Sequence, residues 1–228
     1  MKKVLALILL GLSVLLGPVV WQFIHFDPQA VPASGLPWQI ETLSGGESRV
    51  FGLIPGRSTL ADARTRFGPE IQLAVVAEPN ESGNVEGYYE SVTAGFVAGK
   101  LIITADLPAS VIDAMRERSP KTEYMQSTTR KARLADADLA AALAAPIRGI
   151  AFIPSAQLDE DIILERFGQP TERIRVSDHL EHLLYPARGL DLALDSKGRE
   201  LLQYVAPARF EALRAPLRDQ AQRPAAKP

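Results

Sequence analysis

The chain has 228 residues, a formal net charge of −2 and no cysteine. A mildly acidic chain lacks the concentrated basic face that grips phosphate backbones, so nucleic acid is not expected as a partner. The missing thiols exclude disulfides, thiolate metal sites, a cysteine nucleophile and lipid attachment through an N-terminal cysteine.

Lys2 and Lys3 precede residues 4–24, which contain no Asp, Glu, Lys or Arg. As a helix this run spans about 31 Å, the thickness of a bilayer's hydrocarbon core. Trp21 and Phe23 fall where an interfacial aromatic belt would lie, and the two lysines mark the cytoplasmic end. The expectation is a single-pass inner-membrane anchor over residues 1–26, contacting the membrane through residues 4–24, with a periplasmic body. The alternative is a cleaved signal peptide and a secreted periplasmic protein, with Val31, Pro32 and Ala33 before the cut. Residues 27–37 carry three prolines and a glycine and read as an extended linker.

The body shows internal self-similarity at a spacing of about 100 residues. Thr59 and Asp159 are N-cap residue types, each followed four positions later by Ala63 or Ile163 and eight later by Phe67 or Phe167. Gly68 and Gly168 come next, suited to stopping a helix. Equivalent, buried phenylalanines are expected. After each helix the pattern alternates as strands do. In the first copy these are residues 71–77, a segment around Tyr88 and Tyr89, a third strand at Gly95, Phe96 and Val97, a turn at Gly99 and Lys100, and residues 101–105. In the second they are residues 174–176, 183–185 and 189–194, a turn at 195–198, and residues 200–205. Leu190, Leu192 and Leu194 share one strand face, and Asp191 and Asp195 lie on the other, read as solvated. Between the copies, residues 123–133 read as a polar strand and residues 136–145 as a helix stopped by Pro146. The fold class is α+β, an N-terminal transmembrane helix followed by two tandem helix-plus-antiparallel-meander repeats. Repeat 1 covers residues 38–133 and repeat 2 residues 134–214, with residues 215–228 a disordered tail.

A short capped helix ending in Phe-Gly, with proline close behind and a meander after it, resembles the SmpA/OmlA-like family, the small lipoproteins of β-barrel assembly, and the β-lactamase-inhibitor-protein fold. Gly56, Thr59, Ala63, Phe67, Gly68 and Pro69 carry the resemblance in one copy, and Asp159, Ile163, Phe167, Gly168 and Pro170 in the other. It implies a non-enzymatic binder of proteins or envelope components.

Residues with reactive chemistry are sparse. His179 and His182 form the one cluster that suggests a metal, but on a strand they point to opposite faces and metzincin spacing is absent. No Gly-x-Ser-x-Gly occurs. Residues 52–59 come close to a phosphate loop, yet are one residue short and carry Arg57 in place of lysine. No cofactor is expected. The leading reading is a membrane-tethered periplasmic interaction module whose partner is another cell-envelope protein, with Tyr88, Tyr89 and Tyr185 as candidate binding residues. The alternatives are a hydrolase, metal-dependent or not, with a cleft between the repeats, or a carrier or sensor of a small ligand.

Overall fold

The computed structural model describes residues 34–125 and 128–222. Within them the chain runs β1 (Glu41–Leu43), β2 (Glu47–Arg49), α1 (Leu60–Phe67), β3 (Gln72–Ala77), β4 (Asn84–Ala94), β5 (Val97–Ala105), α2 (Ala109–Glu117), β6 (Thr122–Tyr124), β7 (Arg130–Arg133) and α3 (Asp136–Ala144). It continues through β8 (Ile147–Pro154), α4 (Glu160–Phe167), β9 (Glu172–Arg175), β10 (Leu180–Tyr185), β11 (Leu190–Asp195), β12 (Leu201–Val205) and α5 (Glu211–Gln222). β1 and β2 pair with each other, and the other ten strands form one sheet in the order β6-β7-β3-β4-β5-β8-β12-β11-β10-β9.

This corrects the expected fold class. The α+β chain does not build two separate meanders; β8 pairs with β5 on one side and β12 on the other, so all ten strands make a single antiparallel sheet. Nor is a transmembrane helix found: no helix among the described residues is long and apolar enough to cross a membrane. The segment expected to span, residues 4–24, and the alternative cleavage site lie outside the described residues.

The ladder has a symmetry of its own, with other strand matches and bounds than the two expected repeats. Residues 101–105 lie in β5, which matches β11 and not residues 200–205, and β8, expected in repeat 2, falls with the first half. Directly opposed residues of neighbouring strands share a face, and one row crosses eight strands as Gln72, Tyr88, Ile102, Ala151, Gln203, Asp191, Leu184 and Glu172. The row is palindromic in strand type. β3, β4, β5 and β8 on one side correspond to β9, β10, β11 and β12 on the other, about a pseudo-twofold axis between Ala151 and Gln203. Residues 106–146, with α2, β6, β7 and α3, are then an insertion between the third and fourth strands of the first half.

Local chemistry repeats with the register. Gly68 N–H donates to Arg64 O at 3.0 Å and Gly168 N–H to Leu164 O at 2.9 Å, ending α1 and α4 alike. The Tyr89 hydroxyl donates to Gly68 O at 3.0 Å, and the Tyr185 hydroxyl to Gly168 O at 2.9 Å. Ala63 and Ile163 are both fully buried. The match is incomplete at the phenylalanines: Phe167 is buried, whereas Phe67 is only half-buried, under the Arg66 guanidinium. Thr59 closes a full capping box with Asp62, while Asp159 caps α4 without a side-chain hydrogen bond.

The main core lies on the face holding Tyr89, Leu101, Ile103, Ile150, Phe152, Leu190, Leu192, Leu202 and Tyr204, and residues of all four helices α1 to α4 join it. Phe51 sits at its centre, 5.4 Å from the Phe152 ring and 5.3 Å from the Tyr204 ring, which are equivalent positions across the pseudo-axis. Reaching there costs strain. Phe51 has φ +56°, unusual for a bulky side chain, and with Gly52 (φ +83°) it makes a two-residue turn closed by reciprocal Val50–Leu53 hydrogen bonds. The Arg66 Nε–H donates to Phe51 O at 3.2 Å and helps hold it.

Several boundaries differ from expectation. Leu36 is buried and Pro37 O accepts the Tyr204 hydroxyl at 2.9 Å, so the end of the expected linker is part of the body. Gly95 and Phe96 form the β4–β5 turn, while Gly99 and Lys100 lie within β5. The polar segment before α3 is two short strands, β6 and β7. Helix α5 carries through Gln222, past the expected start of the tail at 215.

Candidate binding face

The reverse face of the sheet is built from the residues between the core-facing ones. Its two halves are covered unequally. Over the second half, Phe210 at the entry to α5, with Leu213 and Leu217, packs on Ile174, Leu184, Val176 and Val205. Glu172 pins the helix through Arg218, at 2.9 Å, and Arg214, at 3.7 Å. On the same half Asp191, 1% exposed, and His182, 8% exposed, are also buried. The Asp191 carboxylate lies 2.9 and 3.0 Å from His182 Nδ1.

Among the described residues, no helix lies over the equivalent surface of the first half. Tyr88, Ile102, Ala151 and Ile153 are half-buried there, next to exposed Lys100 and Glu90. Polar side chains are organised around Tyr88. Its hydroxyl donates to Glu90, Glu90 pairs with Lys100 at 2.9 Å, and the Lys131 ammonium lies 5.9 Å from the ring centroid. Burial pushes the Glu86 carboxyl above its ordinary range, against the pull of the Arg148 guanidinium. Arg148 in turn donates to the Asn84 side chain. Where the open half meets α5 there is a groove of about 580 Å³, lined by Thr104, Arg148, Ala151, Gln203, Ala212 and Leu213 among others.

The residues singled out from sequence separate on this framework. Tyr88 lies on the open reverse face. Tyr89 and Tyr185 are buried on the core face, with hydroxyls spent on the helix-ending glycine carbonyls; they position α1 and α4 and are not surface anchors. His182 lies in β10 and His179 in the turn before it, and each ring faces its own aspartate, His179 Nδ1 lying 2.9 Å from Asp195 Oδ1. Asp195 is held below the usual carboxylate range by the Lys197 backbone N–H and then by His179. Among the described residues no serine hydroxyl meets either imidazole, and no three His, Cys, Asp or Glu side chains gather as metal ligands. Residues 52–59 are the Phe51 turn and the α1 capping box.

Ile102, Ile153, Lys100, Lys131 and Arg148 were not singled out from sequence. A signal was present: β8 reads Ile-Arg-Gly-Ile-Ala-Phe-Ile-Pro, apolar on both faces, as a strand inside a sheet with both sides in use should be. The chain matches no known family model, no curated protein and no solved structure.

Proposed function

We infer that the protein is a non-enzymatic interaction module of the cell envelope that takes a partner protein on the open half of its reverse sheet face. The observation that carries this is the unequal cover of two equivalent surfaces: α5 buries one, and the other exposes Tyr88, Ile102, Ala151 and Ile153 with charged residues around them. A half-apolar patch with an aromatic anchor and a charged rim has the make-up of a protein interface. The sequence resemblance around the two capped helices to the assembly lipoproteins and β-lactamase inhibitors points the same way. The polar clusters around His179, His182 and Tyr88 have structural partners of their own, which favours binding over turnover.

The test is Ile102→Asp combined with Ile153→Asp. Both side chains are half-exposed, so the variant should keep its thermal transition within a few degrees while losing the partner that co-purifies with the wild-type chain after mild crosslinking. Retention of that partner by the folded variant would remove the reading.

A further inference from the structure

A second site lies at the edge of the first half. β7 pairs with β3 only from Ala74 to Ala77, after which the chain leaves Arg133 for α3. Gln72 and Leu73 therefore have a strand on the β4 side alone. The wedge between β3, α1 and α3 is a cleft of about 550 Å³. Ile71, Leu73, Leu139 and Leu143 supply apolar surface, and four cations line it: Arg64, Lys121, Lys131 and Arg133. Glu123 and Asp136 are its acidic residues. Glu123 is engaged with Lys121, and Lys131 with Gln72 at 3.4 Å. Arg64 and Arg133 pair with no acidic side chain among the described residues. Such a surplus of positive charge is local, since the whole chain is net −2.

We propose that this cleft binds an extended peptide segment carrying alternating acidic and apolar side chains, added as a short strand along residues 71–73. Three features specify that occupant. Backbone N–H and C=O groups alternate in direction along a strand, so either Gln72 or Leu73 turns both toward the cleft, where no strand lies among the described residues. An added strand satisfies them, which a compact small molecule does not. The apolar wall takes every second side chain, and the unpaired guanidinium forks of Arg64 and Arg133 take carboxylates, the anion their planar geometry fits. The site goes beyond the reverse-face reading and does not depend on it.

The experiment is fluorescence anisotropy of the full chain with a labelled, N-acetylated hexapeptide of alternating glutamate and valine. A lysine-for-glutamate version and decanoate serve as the other probes. Saturable binding of the acidic peptide is expected, weakened at least tenfold in the Arg64→Ala/Arg133→Ala variant and weakened by salt. The lysine peptide should not bind, and decanoate should not displace the acidic one. Amide exchange at residue 72 or 73 should slow on binding. Both arginines are exposed, and an unchanged melting curve verifies the fold; Arg64→Lys/Arg133→Lys, keeping charge without the fork, should fall between. Equal binding by the double variant, no binding by wild type, or displacement by decanoate would overturn the proposal. Ile102→Asp should leave this binding intact, so failure here and failure of the reverse-face reading can be told apart.

Discussion

The two halves of the reverse face have the same ladder and opposite fates. Where the second half places Leu184, Asp191 and Glu172, the first places Tyr88, Ile102 and Gln72. Leu184 gives Phe210 an apolar seat, and Glu172 gives Arg214 and Arg218 a countercharge. Tyr88 and Gln72 stand in those places in the first half, where no described helix packs. The two halves thus share architectural pairs, Tyr89 with Gly68 and Tyr185 with Gly168, while their reverse-face residues differ in what they offer a covering helix.

The largest effect should come from breaking what the halves share. Phe51→Ala removes the ring between Phe152 and Tyr204 and should cost about 3–5 kcal/mol, the range for a large core aromatic. Denaturant unfolding should show one transition, with amides of β3–β5 and β9–β12 losing protection together. Phe210→Ala should cost less, about 3 kcal/mol at the low end of that range, because the cluster under α5 is small. Its signature is local: faster exchange in β9 and β10, with β4 and β5 unaffected. Two separate unfolding steps in either variant would show that the single sheet is not one cooperative unit.

Smaller changes sharpen the equivalence. Tyr89→Phe and Tyr185→Phe each remove the hydroxyl that donates to a helix-ending glycine carbonyl, and each should cost about 1 kcal/mol in denaturant melts. Matching losses fit equivalent positions, whereas a large difference would show that one tyrosine is not a brace. The smallest effect is electrostatic. Burial raises the Glu86 pKa in the folded state, so the folded form holds this proton more tightly and its contribution to stability falls as pH rises through the window above about 4.5. Glu86→Gln should flatten that part of the stability–pH curve and leave the variant the more stable one at neutral pH.

How much of this was legible in the sequence follows from where each signal lives. Helix starts and stops are local, and Thr59, Asp62, Gly68 and Gly168 announce them. The β4–β5 hairpin was misplaced because two glycines compete for the turn. Gly95 takes it with φ +66°, whereas Gly99 is a strand residue whose added Cβ would come within 2.5 Å of the Phe152 ring. That constraint comes from β8, about fifty positions away, and no local pattern contains it. The same distance hid the β5–β8–β12 junction that makes one sheet of two meanders. Asp191 read as solvated because alternation gives a face but not its cover. That half of the face carries α5, and Pro216 within the helix made that stretch look like a tail. Tyr89 and Tyr185 could be placed on strands from sequence, but which face the helices would take could not, so the candidate site was legible only at Tyr88.

The central claim, that the open half is where a partner sits, is tested most directly by site-specific photocrosslinking in cells. A photoreactive residue would be placed at Ile102, at Lys100 and, as the control, at Val111, exposed on α2. The account predicts one discrete adduct from positions 102 and 100, lost when Ile153→Asp is added, and none from 111. An adduct from 111 alone, or equal adducts from all three positions, would contradict it.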